Sequence, residues 1–363
     1  MCSRTSPPNT PPIKYSMPRL RLGFLGIGAM GLSHVNQFHV KNAPRAECVA
    51  ICSRNEANIA KALAVAPNAK VLRDERELIH SDLDAVVIST PNSTHAALAL
   101  DTLKAGKHLF LEKPIGITAE ECRAVLAAAE NSDRAVLVGH ELRYSPFFQK
   151  MKSLVDAGEI GQPRMVWTRE FRGPFQPKSG QWIQDARLSG GMMVDKNCHH
   201  FDMMNWWVGA RPCRVAAFGG SAVMHVVDAA HQVNDHSTVS FEYDNGVLGT
   251  LQVCLFARDF PEEELEMGIV GDAGSLQTRI SAIEILQWQR GTHQKAPIVH
   301  KVHSPAGEGW GNHLGFDEVH AAFLDAVLDG KPHVTSVRDC LDGTLLAIAA
   351  EGSIASGSMV SLS

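Results

Sequence analysis

Three side chains in this sequence are of the types needed for proton transfer to or from a small molecule. Asp195 and His199 are four residues apart, so they share a face if their segment is helical. A carboxylate beside an imidazole orients the ring and stabilises its charged form, although such a pair is more often a plain salt link. Lys113 precedes Pro114, which biases the lysine toward an extended backbone. Lys113, Asp195 and His199 are therefore candidates for proton transfer, the alternative for the lysine being a solvated surface position.

A glycine-rich turn follows the first buried strand, 19–25, and opens a helix, 32–40. In dinucleotide-binding proteins such glycines allow a tight turn, close approach of the backbone to a pyrophosphate and close packing of the helix. The context of strand, turn and helix makes this interpretation stronger than the glycines alone would. The predicted cofactor-binding residues of the turn are Gly26, Ile27, Gly28, Ala29, Met30 and Gly31.

The residues after the second strand bear on the choice of nicotinamide cofactor. An NAD-binding domain often has Asp or Glu there to bind the ribose 2′-hydroxyl, whereas this chain has Ser53 and Arg54. A neutral residue followed by arginine can accept a 2′-phosphate, which slightly favours NADP over NAD. Alternatively, Arg54 stacks on adenine or points into solvent.

Two further loops carry polar side chains directly after predicted strands. Asn92 and its neighbours follow the third strand, and Glu112 follows the fourth. Ligands of open parallel sheets bind outside the carboxyl ends of the strands. The predicted cofactor-binding residues of these loops are Thr90, Pro91, Asn92, His95, Glu112 and Lys113.

The first part of the chain alternates between strand and helix patterns. This alternation predicts a parallel sheet with right-handed crossovers, and Thr118 with Glu121 predicts a capping box at the start of one helix. The other predicted elements are the strands 47–52, 84–89, 108–111 and 135–139 and the helices 57–66, 96–105 and 118–131.

Beyond residue 145 the pattern changes to strands joined by turn signals. The tripeptide Asp244-Asn245-Gly246 favours an antiparallel hairpin, so we expect a second, α+β domain. Two predicted helices near the end, 316–328 and 337–356, can pack on either domain. The predicted strands of the second domain are 164–171, 215–219, 238–243, 247–256 and 265–270.

The composition argues against two classes of partner. The chain has 363 residues, with 34 Lys and Arg against 39 Asp and Glu and a formal charge of -5, so it has no strong positive field for nucleic acid or an anionic membrane. No apolar run reaches the roughly 18 residues that cross a bilayer. The 8 cysteines are far apart, which favours reduced thiols in a cytoplasmic protein. The proline-rich residues 1–17 are expected to form a flexible tail.

The expected cofactor is NAD or NADP, and no metal is predicted. His199 and His200 are adjacent and cannot share one helical face. No spacing of histidine, cysteine and acidic residues matches a dedicated zinc motif.

Five motifs occur together and in order along the chain. In this combination the sequence resembles the glucose-fructose oxidoreductase, inositol dehydrogenase and rhizopine-catabolism family of nicotinamide-dependent oxidoreductases. Residues 270–276 also resemble part of that family's substrate domain, so the resemblance covers nearly everything after the tail. The motifs are the glycine turn at Gly26, Thr90-Pro91-Asn92 with His95, Glu112-Lys113-Pro114, residues 139–144, and the stretch from Gly190 to Asp202.

The resemblance implies a fold, domain limits and an assembly. It implies an α/β protein with a Rossmann NAD(P)-binding domain at 18–145, preceded by the tail at 1–17. An α+β substrate-binding domain with a large, mostly antiparallel sheet is expected at 146–363, and its last helix can pack back on the Rossmann domain. The outer face of that sheet commonly forms a homodimer or homotetramer in the family.

The resemblance also implies roles for single residues. In similar dehydrogenases the residue matching His199 takes the hydroxyl proton as hydride leaves for the nicotinamide. The residues matching Lys113 and Asp195 polarise and position the alcohol. Arg143, in the fourth motif, is expected to contact the cofactor. Many relatives have glycine where this chain has Asn197, so the pocket can differ locally.

The expected substrate is a sugar, an inositol or a related polyol or keto-sugar. Lys113, Asp195 and His199 are predicted to contact it. Residues before the second catalytic motif can line the pocket, because polar groups bind hydroxyls and tryptophan stacks on sugar rings, or they can be surface loop residues. These candidates are Arg169, Arg172, Gln181, Trp182 and Asp185, of which Arg172 and Trp182 are predicted to bind substrate.

Two other functions stay open at this point. One is a glycoside hydrolase or lyase that keeps its nicotinamide bound, oxidises the sugar transiently and reduces it back, with no net change of the cofactor. The other is a ligand sensor that retains the fold without the chemistry. The joint presence of Lys113, Asp195 and His199 argues against the sensor.

Overall fold

The computed structural model describes residues 19–174, 179–227, 232–257, 263–303 and 314–362. The tail predicted at 1–17 lies outside these residues. No described helix combines the length and the apolar composition that a membrane span requires.

Six parallel strands form the sheet of the first half, and each is a short run of largely buried apolar residues. The chain adds its second and third strands on one side of the first strand and its fourth to sixth strands on the other. The strand order therefore reverses between the first and fourth strands, which is where open α/β sheets bind ligands. The strands are β1 (Leu20–Leu25), β2 (Ala46–Cys52), β3 (Lys70–Leu72), β4 (Ala85–Ile88), β5 (His108–Leu111) and β6 (Val136–Val138), in the order β3-β2-β1-β4-β5-β6.

Helices cover both faces of this sheet, and two buried apolar clusters lie between them and the strands. The predicted capping box is confirmed: the Thr118 side chain accepts a hydrogen bond from Glu121 N, and the Glu121 carboxylate accepts one from Thr118 N. The helices are α1 (Ala29–Val35), which continues as a π-helical segment at Asn36–Lys41, α2 (Glu56–Val65), α3 (Glu75–Ile79), α4 (His95–Lys104) and α5 (Ala119–Glu130).

A nine-stranded sheet forms the second half. Its pairs are antiparallel except for one parallel pair, β7 with β10, and the turn 244–246 joins antiparallel neighbours as predicted. The strands are β7 (Pro163–Arg172), β8 (Pro212–Gly220), β9 (His236–Tyr243), β10 (Leu248–Cys254), β11 (Glu263–Gly271), β12 (Gly274–Arg279), β13 (Glu284–Gln289), β14 (Ile298–Lys301) and β15 (Val360–Ser361), in the order β14-β13-β12-β11-β7-β10-β9-β8-β15.

One face of the nine-stranded sheet packs on helices, and the last helix joins the two halves. Its residues Leu346 and Ala347 lie in the core of the second half, while Leu341 and Leu345 lie in one core of the first. The helix thus packs against both sheets. The helices of this half are α6 (Pro146–Asp156), α7 (Ala186–Ser189), α8 (Cys198–Val208), α9 (Met224–Val227), α10 (Phe316–Asp329) and α11 (Val337–Ser356).

The predicted α/β architecture is confirmed, but several elements differ from the sequence pattern. The first helix begins at Ala29 rather than residue 32 and changes to π-helical geometry at Asn36. The elements β3, α3, β12, β13 and β14 were not predicted. Strand β3 has only three residues and one buried side chain, so no apolar run marks it.

Candidate active site

The glycine turn at the end of β1 has two positions that only glycine fits. Gly26 has a φ of +84°, and a Cβ there would lie 2.7 Å from Ser89 O. A Cβ on Gly31 would lie 1.9 Å from Gly26 O, so the helix could not pack so closely on the turn. By contrast, a Cβ on Gly28 would meet nothing within 4 Å. The turn is therefore packed against protein on one side and open on the side of Gly28.

The N-terminus of α1 fits an anionic ligand at this open side. Gly28 is the N-cap, no side chain caps the helix, and its first turn has no acidic residue. Free backbone N–H groups and the positive end of a helix dipole favour phosphate groups. The predicted residues Ile27, Ala29 and Met30 lie in or beside this turn. The turn thus has the space and the donors that a dinucleotide pyrophosphate needs.

Ser53 and Arg54 lie just after β2, as predicted. The Arg54 side chain is 80% exposed and pairs with Glu75 at 3.2 Å. Ser53 O accepts a hydrogen bond from Arg73 at 2.8 Å. An exposed ion pair of this kind is weak, so it leaves Arg54 available to a ligand.

Asn92 joins the two halves of the site. Its side chain is buried, and its amide nitrogen donates to Ser189 O at 2.9 Å and to Asp195 Oδ1 at 3.0 Å. The loop after β4 therefore holds the carboxylate of Asp195. This interaction makes Asn92 a positioning residue, in addition to its predicted contact with the cofactor.

His95 connects the loops that follow β4 and β5. Its ring is buried, with Nδ1 2.7 Å from Pro114 O and Nε2 3.0 Å from Thr90 O. Burial lowers the pKa of His95, although the two carbonyl contacts oppose this effect. Both ring nitrogens face protein carbonyls, so the predicted direct contact of His95 with the cofactor has no free nitrogen here. Thr90 and Pro91 keep their predicted place at the carboxyl edge of the sheet.

Lys113 bridges the two halves a second time. Its Nζ donates to the backbone oxygen of Asp195 at 2.7 Å. Burial alone would lower the pKa of Lys113, but the charges of Asp195, Glu112 and Glu141 raise it above its ordinary value. The lysine is therefore held as an ammonium group that can donate hydrogen bonds.

Asp195 lies in a π-helical segment, Met193–Asn197, and not in the α-helix that follows it. The α-helix expected from Asp195 onward therefore begins only at Cys198, after the π-helical segment that carries Asp195. What brings Asp195 to the site is the contacts of Asn92 and Lys113 with it. At the start of the segment, Glu351 Oε1 accepts a hydrogen bond from Met193 N at 2.8 Å.

His199 lies in the first turn of α8, next to buried polar side chains. Its Nδ1 lies 3.8 Å from Glu141 Oε2 and has no hydrogen-bond partner among the described residues. Its ring stands at 83° to that of His140, with the ring centroids 5.2 Å apart. Burial, together with the charge of Lys113, lowers the pKa of His199 well below 6.5. The imidazole is therefore neutral at neutral pH and can accept a proton.

Arg143 lies in a buried ion pair. It donates to the two carboxylate oxygens of Asp202 at 2.7 and 2.8 Å and to the carbonyls of Val334 and Asp339 at 3.0 and 2.8 Å. Its guanidinium thus ties the fourth motif to α8 and α11. The predicted contact of Arg143 with the cofactor finds no support in this geometry.

One group of three metal-compatible side chains lies within 4.8 Å among the described residues: His140, Asp202 and Cys340. Both oxygens of Asp202 already accept hydrogen bonds from Arg143. Burial raises the pKa of the Cys340 thiol well above its ordinary value, so it stays protonated. A neighbouring guanidinium and a protonated thiol do not suit a cation.

Arg172 and Trp182 keep positions compatible with a pocket. Trp182 is half-buried, and Arg172 NH1 lies 3.3 Å from the fully buried Glu170. Glu170 also accepts a hydrogen bond from Asn197 at 2.8 Å and lies 3.4 Å from His200. This buried polar group lies beneath the segment that carries Asp195.

The other pocket candidates lie elsewhere. Arg169 was a candidate for the pocket, but strand alternation puts it on the opposite face of β7 from Glu170, where it pairs with Glu264 and Glu266. Asp185 caps α7 and pairs with Arg187. Gln181 is exposed.

The sequence did not reveal the residues that support this site from behind. Glu141, Glu351 and the buried histidines 34 and 320 lie far along the chain from the residues that they contact. Apolar periodicity predicted the helices of His320 and Glu351 but not the contacts of these two side chains. A polar residue on the apolar face of a helix was the only local sign that it has a buried partner.

Two family models match the chain. Residues 20–140 match the oxidoreductase family with an NAD-binding Rossmann fold, and residues 148–277 match the GFO/IDH/MocA C-terminal domain. Inositol 2-dehydrogenase of Rhizobium meliloti (strain 1021) is 29% identical over 346 residues, which are 94% of this chain and 99% of that protein.

Two solved structures show the same fold. The oxidoreductase domain protein from Kribbella flavida has a TM-score of 0.81 and 22% identity, over 95% of this chain and 99% of that one. GenD2 from gentamicin A biosynthesis, solved in complex with NAD, has a TM-score of 0.79 and 22% identity, over 98% and 100%. At these identities the likeness shows the fold alone.

Proposed function

Because the chain belongs to the GFO/IDH/MocA family of NAD-binding oxidoreductases, we propose that it transfers a hydride between nicotinamide and the CH–OH carbon of an inositol, a sugar or a related polyol. The observation that carries this proposal is that Lys113, just after β5, donates to the Asp195 backbone oxygen and that its charge acts on His199. A bound nicotinamide would supply the hydride acceptor or donor at this edge.

Lys113 would bind the reacting oxygen. Its raised pKa keeps it charged, so it acts as a hydrogen-bond donor and not as a base. An ammonium group beside an alcohol favours the alkoxide that forms as the proton leaves. The contact with the Asp195 carbonyl fixes where the ammonium points.

His199 would take the hydroxyl proton during oxidation and return it during reduction. Its lowered pKa means that the ring is already neutral at neutral pH. Asp195, held by Asn92, would orient the alcohol between the two groups. These roles account for all three residues with one reaction.

Two observations support a polyhydroxylated substrate. A relative aligned over nearly the whole chain is named inositol 2-dehydrogenase. Polar and aromatic side chains, Arg172 and Trp182 among them, lie before the segment that carries Asp195, and such groups suit hydroxyls and sugar rings.

For the cofactor, we propose a slight preference for NADP. NAD binding is the property of the matched domain. What supports NADP is the absence of an acidic residue at Ser53 and the availability of Arg54, which a 2′-phosphate could draw away from Glu75.

We also propose that the chain forms a homodimer or homotetramer through the open face of the nine-stranded sheet. Large apolar side chains are exposed on these strands, including Met165, Leu248 and Trp288. Met165 and Leu248 are cross-strand neighbours, and exposed apolar patches are typical of protein interfaces. Light scattering on the purified protein checks this, and a monomer contradicts it.

A cytoplasmic location is proposed on the described cysteines, which are all free.

The first experiment is a substrate screen that follows nicotinamide absorbance. The protein is incubated with NAD or NADP and aldoses, inositols and sugar acids, and with the reduced cofactors and the oxidised compounds. An absorbance change with one compound supports the proposal and identifies the cofactor.

Two variants serve as controls for this screen. Lys113→Met should bind cofactor without turnover. Gly28→Ala should fold normally but lose cofactor affinity, because the added methyl enters the open side of the turn. If the protein binds cofactor and no compound changes its absorbance, net oxidation is contradicted and a redox-neutral glycosidase becomes the better hypothesis.

A further inference from the structure

A chain of hydrogen bonds runs behind the loop that carries Lys113. His320 Nδ1 lies 2.5 Å from Phe316 O, and His320 Nε2 lies 2.8 Å from His34 Nδ1. His34 Nε2 lies 3.0 Å from Glu112 Oε1, and Glu112 Oε2 accepts a hydrogen bond from Lys113 N at 3.2 Å. Both histidines are fully buried, and the Glu112 side chain is 10% exposed.

The number of hydrogens in this chain is fixed by its two ends. Phe316 O is a carbonyl and the carboxylate of Glu112 is an acceptor, so neither supplies a proton. The three contacts from Phe316 O through the two rings to Glu112 need three hydrogens. Two neutral imidazoles provide only two. The chain must therefore hold one more proton, either on a ring or on Glu112.

The surroundings show which group holds it. Burial alone would raise the pKa of Glu112, but the ammonium charge of Lys113 lowers it and the Lys113 backbone N–H donates to Oε2, so Glu112 is favoured as a carboxylate whatever the state of His34. Burial and the neighbouring His34 lower the pKa of His320 well below 6.5, so His320 is neutral. The extra proton is thus left to His34.

Other charged groups around the chain are compatible with this placement. Lys113 and His95 are close to Glu112 and act on its charge. Lys41 acts on His320, and its own charge is paired with Asp317 at 2.8 Å. The two rings also contact three aromatic side chains, Phe38, Phe110 and Phe316.

We propose that His34 is a buried imidazolium that holds Glu112 as a fixed carboxylate behind Lys113, and that His34 and His320 are positioning residues for the lysine. The chain joins the helix after the glycine turn, the end of β5 and α10. If the extra proton leaves, an unprotonated nitrogen of His34 faces either the Glu112 carboxylate or the unprotonated nitrogen of His320. Glu112 is then no longer held in place as the acceptor for Lys113 N.

The proton count can be measured without any substrate. The full-length protein is labelled with nitrogen isotope in histidine, and ring nitrogen chemical shifts are recorded at neutral pH, with His34→Gln and His320→Gln used for assignment. We expect two protonated nitrogens on His34 and one on His320. A neutral His34 would overturn the proposal whatever the protein's substrate.

The consequence for turnover rests on the proposed function and has its own test. In His320→Gln the new amide can donate to His34 Nδ1, so a neutral His34 can donate to Glu112 and no extra proton is required. If the extra proton is needed to hold Lys113, wild-type kcat should fall at high pH, where the hydrogen-bond chain loses that proton. His320→Gln should keep turnover within about threefold of wild type at neutral pH and should not show this fall. His34→Leu, which leaves Glu112 without its donor, should lower kcat about tenfold or more at all pH values.

His80→Gln, an exposed histidine of the same half, is the matched control and should behave as wild type. The proposal is contradicted if His320→Gln and wild type show the same fall at high pH. Because the nitrogen shifts report on the proton alone, failure to find a substrate would contradict the proposed function and leave the proton count intact.

Discussion

Glu112 and Glu351 each hold the backbone of a segment that carries a predicted catalytic residue, but they do so from opposite sides of the site and in different ways. Glu112 pairs with His34 and accepts from Lys113 N, whereas Glu351 accepts from Met193 N and from Asn234 at 2.8 Å each. The cation beside Glu112 lowers its pKa to about 2, while burial without a cation raises the pKa of Glu351.

The difference extends to the residues that the two sides present. The side of the first sheet offers a charged ammonium, Lys113, and the side of the second offers a neutral imidazole, His199. A donor and a base that stay in these states at the same pH are what alcohol oxidation requires. The two proton states differ because Lys113 lies among acidic groups, whereas His199 is buried beside the charge of Lys113.

Removing the reactive groups should have the largest effect on turnover. Lys113→Met and His199→Asn should each lower kcat about 10²- to 10⁴-fold, since each removes the donor or the base, while cofactor affinity stays within a few-fold. Steady-state kinetics with a cofactor-binding titration checks this. Unchanged turnover in either variant would contradict its assigned role.

The pH dependence of wild-type turnover should show the state of His199. Because burial and Lys113 lower its pKa, the ring stays neutral until the pH falls well below 6.5. The rate of oxidation should therefore hold at pH 6.5 and decrease only at lower pH. A decrease centred at or above pH 6.5 would show that the base is a different group or is not desolvated.

Replacing the carboxylates of Glu112 and Glu351 by amides should destabilise the protein to different extents. Glu112→Gln leaves the charge of His34 unpaired and should cost about 3 kcal/mol of the free energy of unfolding at pH 7. Glu351→Gln keeps a neutral acceptor, and Asn234 can turn its own amide, so its effect should be below about 1 kcal/mol. Denaturant unfolding of both variants measures this difference.

The difference in the free energy of unfolding between wild type and each of these variants should change with pH in opposite directions. The pKa of Glu112 is lowered from 4.5 to about 2, so its contribution is complete above pH 4.5 and is lost as the pH falls toward 2. The pKa of Glu351 is raised above 4.5, so its contribution is complete below pH 4.5 and is lost as the pH rises through the raised value. Parallel pH curves for the two variants would remove the distinction.

Cutting the link between the two sides should have a smaller effect. Asn92→Ala removes the hydrogen bonds to Asp195 and Ser189 and should lower kcat about tenfold, because Asp195 loses its fixed orientation. Its neighbour provides the control: Ser93→Ala should keep the wild-type rate. Equal rates in the two variants would show that Asp195 is positioned by other contacts.

The smallest expected effect lies at the edge of the first sheet. Arg54→Ala should weaken NADP binding about 3- to 10-fold and leave NAD binding nearly unchanged, since only NADP carries a 2′-phosphate. Because the side chain is 80% exposed, thermal stability should not change. Equal losses for both cofactors, measured by fluorescence titration, would end the case for NADP.

The regular elements near the glycine turn could be predicted because local signals mark them. The strand 108–111 and the helix 337–356 have the bounds that the apolar pattern predicted, and Thr118 with Glu121 marked a helix start. Strands β12 and β13 were missed because their buried positions include the polar residues Thr278 and Gln287, so no apolar alternation marks them. Strand β14 has no buried position.

By itself, the sequence determined the fold class, the glycine turn and the three candidate catalytic residues, because the alternation of elements, the glycine spacing and five ordered motifs can all be read along the chain. The tertiary structure decided their proton states and their supports. Asn92 meets Asp195 across 103 positions, and His34 meets His320 across 286. Those contacts depend on how helices from both halves pack, and the pKa values of Lys113, Glu112 and His199 follow from the burial and charge that this packing creates.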